Sequence, residues 1–167
     1  VEVRKVNGSY WRYFKPHYYL DLPMPPAAEY FIGTVGGELV CHIAACPSSH
    51  TGYYRLTRLV VMPEWQGAGV GTKFLEWVSE YHKAGRGRCN KELPSMFHTS
   101  HPQLIGYLNA SKKWVLKSQQ MFGGDKKRSG ACLRKSALKS GSSYSPGANG
   151  FGGHFRAVQG FKYIGEK

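Results

Sequence analysis

The sequence predicts an α/β domain, and three observations carry that prediction. A β-branched stretch, Arg58-Leu59-Val60-Val61-Met62, ends at Pro63 and passes through Gly67, Gly69 and Gly71 into an amphipathic helix. Two strand-like stretches flank Gly36-Gly37, the pattern of a β-hairpin. Two more close the chain on either side of a long segment rich in Gly, Ser, Lys and Arg. Strand and helix patterns that alternate in this way favour helices layered on a sheet.

Each element has a local reason. Val1 to Val6 alternates apolar and polar residues, as a half-buried strand does. Tyr10 to Leu20 is aromatic and basic and reads as helical, broken at Pro16. Leu22 to Pro26 is a connector. Glu29 to Val35 and Glu38 to Ala45 form the hairpin, Ser48 to Gly52 a loop, and Tyr54 to Met62 the strand before the glycines. The helix from Thr72 to Ala84 places Phe74, Leu75, Val78 and Tyr81 on one face, and Gly85 and Gly87 end it. Met96 to Thr99 is a short strand. Ser100 is positioned to cap a helix that has Pro102 in its first turn and runs to about Asn109. Trp114 to Ser118 and Phe155 to Ile164 are the last strands, and they pair naturally.

The chain of 167 residues reads as one domain, residues 1–167, with a basic Gly/Ser-rich insertion at about 123–153. No apolar run approaches membrane-spanning length, and no membrane partner is expected. The four cysteines, Cys41, Cys46, Cys89 and Cys132, contain no Cys-x-x-Cys pair, which favours free thiols in a reducing compartment such as the cytoplasm. The net charge of +13 predicts a polyanionic partner, nucleic acid first. Arg55 and Arg58 on the strand, with Lys126, Lys127, Arg128, Arg134, Lys135 and Lys139 in the insertion, are the candidate phosphate contacts.

The loop Gln66-Gly67-Ala68-Gly69-Val70-Gly71 carries the most chemistry. Backbone N–H groups at a helix N-terminus converge on an anion, and glycine lets a pyrophosphate approach the backbone. The spacing is neither Gly-x-Gly-x-x-Gly nor a Walker A loop. Gln-x-x-Gly-x-Gly resembles the acyl-CoA signature of the GNAT acetyltransferase superfamily, and the order of elements resembles that fold over nearly the whole chain. The resemblance implies a mixed central sheet with helices on both faces and a V-shaped splay for the cofactor. Leu59, Val60 and Val61 would hold the pantetheine arm, and Gln66, Gly67, Ala68, Gly69, Val70, Gly71 and Thr72 the pyrophosphate, of acetyl-CoA or another acyl-CoA. It also implies Tyr107 as proton donor to the leaving thiolate, although Ser100-x-x-Gln103-x-x-x-Tyr107 keeps only the Tyr of the family's Asn-x-x-Ala-x-x-x-Tyr.

His17 and Tyr18, with His98, Ser100 and His101, are further catalytic candidates, because the first helical region and the end of the fifth strand face one cleft in such a fold. Neutral imidazoles there serve as a base, or His17, His98 and His101 as ligands of a transition metal such as iron. The segment around His17-Tyr18, the run Thr99-Ser100-His101-Pro102 and the closing Phe161-Lys162-Tyr163-Ile164-Gly165 resemble phage Mom-type DNA modification proteins. That likeness implies transfer to the exocyclic amine of adenine in double-stranded DNA, in a bacterial or phage-infected cell. Trp11, Tyr13, Tyr18, Tyr19, Tyr53, Tyr54 and Trp65 would be available to stack on a flipped base. The alternative is acetyl-CoA-dependent N-acetylation of a protein, tRNA-linked or small-molecule amine.

Overall fold

In the computed structural model the described residues are 1–19, 24–25, 27–48, 52–120 and 157–166. The elements run β1 (Glu2–Val6), α1 (Trp11–Phe14), β2 (Glu29–Val35), β3 (Glu38–Ser48), β4 (Tyr53–Val61), α2 (Val70–Lys83), β5 (Ser95–Thr99), α3 (Pro102–Ala110), β6 (Trp114–Gln120) and β7 (Val158–Tyr163). The strands form one sheet in the order β1-β2-β3-β4-β5-β7-β6. Only the β4–β5 pair is parallel; every other neighbour is antiparallel.

Two apolar clusters divide the sheet between its faces. Phe74, Leu75 and Val78 of α2 and Leu108 of α3 pack with Phe31, Ile43, Tyr54, Leu56, Phe97, Trp114 and Phe161 of the strands. Trp11 and Phe14 of α1 cover Ile32 and Val60 in the second cluster. The sheet thus carries helices on both faces, as the resemblance implied. The α2 stripe at 74, 75 and 78 follows the helical period, so one face of that helix is dry and the other meets water.

The expected boundaries shift where local chemistry competes. The helix expected from Tyr10 to Leu20 is α-helical only over Trp11–Phe14, between 3₁₀ turns at Gly8–Tyr10 and Lys15–His17. Pro16 has no N–H to donate, so an α-helix cannot run through it unbroken. Ser100 is not the cap of α3. His101 takes that position, without a side-chain cap bond, because Pro102 starts the helix. The backbone N–H of His101 donates to Thr99 Oγ1 at 3.1 Å. The insertion at 123–153 lies outside the described residues. Cys41, Cys46 and Cys89 are free thiols; Cys132 falls outside the described residues. Among the described residues no helix is long and apolar enough to cross a membrane.

At the N-terminal end of β4 a buried carboxylate ties three segments together. Glu29 is 3% exposed. It pairs with Lys5 of β1, accepts from the backbone N–H of Arg88 at 3.0 Å, and lies 3.4 Å from His82 Nε2 of α2. Burial alone would raise its pKa; the facing His82, Lys5 and the Arg88 N–H outweigh it and hold the carboxyl down at about 2. Arg88 also donates to the Ala27 carbonyl at 2.6 Å, and Cys89 N–H to the Tyr54 hydroxyl at 3.1 Å. Gly87 passes close beside them, where a Cβ would meet the Tyr54 hydroxyl and come within 2.7 Å of the His82 ring.

Because the folded-state pKa of Glu29 is depressed, its contribution is present above the ordinary carboxyl value near 4.5 and is lost as pH falls toward about 2. Glu29→Gln is expected to lower stability at pH 7 by about 2–4 kcal/mol. Urea unfolding at pH 7 and pH 3 checks both statements: the gap between variant and wild type should narrow at the lower pH. A gap equal at both would contradict the assignment.

Candidate active site

The cleft begins where β4 loses a neighbour. β4 and β5 pair only through Tyr54↔Ser95, Arg55↔Met96 and Leu56↔Phe97. Beyond Leu56 the two strands part, while β3 still pairs with β4 as far as Cys41↔Val61. One side of the β4 backbone from Thr57 to Val61 therefore faces a gap, and a cavity of about 470 Å³ occupies it. Backbone groups left without a ladder partner need another polar partner.

The departing part of β4 is bulged. His42 pairs with Val60 and Ala44 with Thr57, so Arg58 and Leu59 together face the single residue Ile43. Arg58 accordingly takes a left-handed backbone, φ +56°. Its carbonyl accepts from His42 Nδ1 at 3.2 Å. Its guanidinium donates to Thr57 Oγ1 at 3.2 Å and stands 5.5 Å from the centre of the Tyr18 ring.

The glycine loop closes one end. Gln66 Nε2 donates to the Val61 carbonyl at 2.9 Å and straps the loop to the strand. Gly67 and Gly69 adopt φ +80° and +73°. A Cβ on Gly67 would meet nothing within 4 Å, and one on Gly69 only Thr72 Oγ1 at 4.0 Å. These glycines thus border open space. Gly71 is the opposite case: a Cβ there would come within 2.9 Å of Val61 and push α2 off the strand. Gly69 is the N-cap of the 14-residue α2 and gives no side-chain cap bond. The first N–H groups of a helix have no intrahelical acceptor, and an anion serves them well.

Of the cofactor candidates, Leu59, Val60, Val61, Gln66, Gly67, Gly69, Gly71 and Thr72 line the cavity, whereas Ala68 and Val70 do not. An open strand edge leading to an uncapped helix N-terminus fits a long ligand with an amide-bearing arm and a pyrophosphate, which is the chemistry of an acyl-CoA.

The other wall gathers the acid–base candidates. His17, Tyr18, His98 and His101 line the same cavity; Ser100 and Tyr107 do not. His98 lies below the ordinary imidazole pKa, first because the cleft wall desolvates it and second because of the Arg55 charge. Burial raises the Tyr18 pKa, Tyr19 adds to the rise, and Arg58 opposes it. The metal expectation fails on geometry. Among the described residues no three His, Cys, Asp or Glu side chains come together closely enough to hold an ion, so His17, His98 and His101 form no ligand set.

Tyr107, 38% exposed, turns its hydroxyl to α2 and donates to Glu76 Oε1 at 2.5 Å. Burial, then the Glu76 hydrogen bond and charge, raise its pKa. Glu76 also accepts from Lys113 Nζ at 3.3 Å. Of the proposed phosphate contacts, Arg58 lines the cavity and Arg55 does not; Lys126, Lys127, Arg128, Arg134, Lys135 and Lys139 lie outside the described residues. Sequence reasoning missed Thr57, Thr99, Gln103 and Leu104 in the wall. It also missed Glu76, whose pairing across two helices leaves no local signal.

Comparison with solved structures gives the same architecture. The ribosomal-protein-S18-alanine N-acetyltransferase from Escherichia coli superposes with a TM-score of 0.60 at 12% identity, covering 99% of this chain and 95% of that one. A spermidine N-acetyltransferase chimera from Vibrio cholerae gives 0.63 at 10% identity, covering 98% and 94%. A protein from Bacillus anthracis described as a streptothricin acetyltransferase, solved with acetyl coenzyme A, gives 0.51 at 14% identity, covering 89% and 70%. At these identities the likeness is one of fold. No curated protein matches the chain. The family model for the acetyltransferase (GNAT) domain matches residues 26–112, more than half of the sequence, and the chain belongs to that family.

Proposed function

We propose that the protein is an acyl-CoA-dependent N-acyltransferase whose acceptor amine enters between the His17–Tyr19 segment and His98. The observation that carries this reading is the continuity of the open β4 edge with the uncapped start of α2 in one cavity. When bound, acyl-CoA supplies an activated thioester. The exposed backbone of Leu59 to Val61 holds the amide-bearing arm, and the N–H groups after Gly69 hold the pyrophosphate.

Acyl transfer needs an unprotonated amine and a polarised carbonyl. His98 is suited to take the amine's proton, because desolvation keeps its ring neutral at physiological pH. Tyr107 is poorly placed to give a proton to the leaving thiolate: its hydroxyl is committed to Glu76, and its raised pKa makes it a weaker acid. The relatives named for substrates act on a protein, a polyamine and an antibiotic, so a protein or small-molecule amine is the first acceptor class to test.

A second reading has its own support. The net charge of +13 far exceeds what one CoA requires, and Arg12, Lys15, Arg55 and Arg58 belong to the two segments that approach the cleft. A polyanionic acceptor, including the adenine amine of DNA that the Mom-type likeness suggests, would use that excess. Its enzyme would extrude the base to reach the amine.

Donor, acceptor and acid–base groups are each tested. Gly69→Asp puts a carboxylate at the uncapped helix start and should abolish acetyl-CoA binding by calorimetry, at a stability cost of about 1–3 kcal/mol for a non-glycine residue at positive φ; undiminished affinity in the folded variant would sink the donor assignment. For the acceptor, CoA release is followed over amine panels, and nucleosides from DNA of expressing cells are analysed by mass beside the Gly69→Asp control. His98→Ala should lower kcat by about 10²–10⁴, and Tyr107→Phe by less than about threefold. The reverse ranking would make Tyr107 the catalytic acid. A new adenosine derivative absent from the control would establish DNA as acceptor, and unmodified DNA with turnover on the panel would exclude it.

A further inference from the structure

Among the described residues two imidazoles are wholly buried, His42 and His82, and His42 is the one on the strand beside β4. It is 0% exposed on β3, with the rings of Trp11 and Phe14 each centred 5.2 Å away and Tyr30 stacked at 6.2 Å. A polar ring in an aromatic box calls for a reason, because an apolar residue there would avoid the cost of burying ring nitrogens. Its Nδ1 lies 3.2 Å from the Arg58 carbonyl, the peptide at the β4 bulge. Its Nε2 has no hydrogen-bond partner among the described residues.

The protonation state follows. Burial pushes the pKa of His42 down to about 4, so the ring is neutral at physiological pH. A carbonyl can only accept, so Nδ1 carries the proton and Nε2 the lone pair. No peptide in the described chain is cis. In a trans peptide the C=O and N–H point in opposite directions. The bond to His42 therefore fixes the plane of the 58–59 peptide and turns the Leu59 N–H away from the His42 ring. Leu59 and Val60 follow directly in the cavity wall.

We propose that His42 is a positioning residue for acyl transfer: by holding the Arg58 carbonyl it sets the bulge of β4, so that a backbone donor of the bulge polarises the thioester carbonyl of the bound donor. The inference rests on the acyl-CoA reading above. Arg58 cannot hold this conformation by itself, since a left-handed backbone at a non-glycine residue persists only where its surroundings enforce it. The hydrogen bond supplies that enforcement, and the aromatic box supplies its rigidity.

The test reads the carbonyl directly. Acetyl-CoA labelled with ¹³C at the thioester carbonyl is bound to wild type, His42→Asn, His42→Gln and His42→Leu, and the isotope-edited infrared band is recorded beside calorimetric affinity. Asn carries a donor the same number of bonds from Cβ as Nδ1 is; Gln places it one bond further, and Leu has none. We expect a band shifted to lower frequency in wild type and Asn, and loss of the shift in Gln and Leu, with affinity within about threefold throughout. If the Leu variant does not fold, the Asn–Gln contrast decides. The same band position in all folded variants, or an unshifted band in wild type, would overturn the role of His42 while leaving acyl-CoA binding intact. Failure of wild type to bind acetyl-CoA would instead overturn the donor reading, and this inference with it.

Discussion

The separation of β4 from β5 is the constraint on which the rest of the molecule depends. A strand in the middle of a sheet normally spends its N–H and C=O groups on two neighbours. Here β4 keeps β3 along its length and gives up β5 after three residue pairs. Leaving several backbone groups unpaired inside a folded domain costs on the order of 1–3 kcal/mol each unless water or a ligand serves them. The gap is therefore a site built to be filled by something with alternating donors and acceptors, and the glycine loop at its end adds a seat for an anion.

A wedge of this kind needs one end clamped. The clamp is the Glu29 network at the N-terminal end of β4, where Lys5, Arg88 and His82 meet one buried carboxylate and Tyr54 receives the Cys89 N–H. These bonds connect β1, β2, β4, the end of α2 and the segment leading into β5. The strands are held where they pair, so they can diverge where they do not. At the open end the bulge at Arg58 re-aims the β4 backbone, and Gly71 lets α2 press directly on Val61. The buried ionic network thus lies at the end away from the cavity, and the cavity end is held by apolar packing of Trp11 and Phe14 on Ile32 and Val60.

Much of this was legible in the sequence because it is local. The strand–glycine–helix passage, the Gly36-Gly37 hairpin and the period of Phe74, Leu75 and Val78 all show in stretches of fewer than fifteen residues. The resemblance that this passage carries pointed to Leu59, Val60, Val61, Gln66, Gly67, Gly69, Gly71 and Thr72, which the structure places along the cavity, and to Ala68 and Val70, which it does not. What the sequence did not show depends on contacts between distant segments. The hydroxyl of Tyr107 finds Glu76, 31 positions earlier, and no pattern along either helix announces that pair. The histidines share a cavity without forming a ligand set, a matter of ångströms that spacing cannot supply. Ser100 lost the cap position to His101 because Pro102 decides where α3 starts. The Arg58 bulge is equally silent, since an arginine in a β-branched run gives no hint of a positive φ.

The acid–base layout separates this cleft from the pattern its motif suggests. A proton donor to a thiolate works best with its hydroxyl free and its pKa lowered toward that of the thiol. Tyr107 has neither property: its hydroxyl donates to the Glu76 carboxylate, which also accepts from Lys113, and its pKa is raised. The imidazoles, by contrast, lie in the cavity wall, and His98 is kept neutral by desolvation and by Arg55. In the proposed reading this layout weights the chemistry toward deprotonating the acceptor. Such weighting matters most for an acceptor amine that arrives protonated, and least for an aromatic exocyclic amine, which is already neutral. For the second kind the demand falls on polarising the donor carbonyl, the task we propose for the β4 bulge. The two acceptor classes therefore place different loads on the same residues, His98 on one side and the peptide beyond Arg58 on the other.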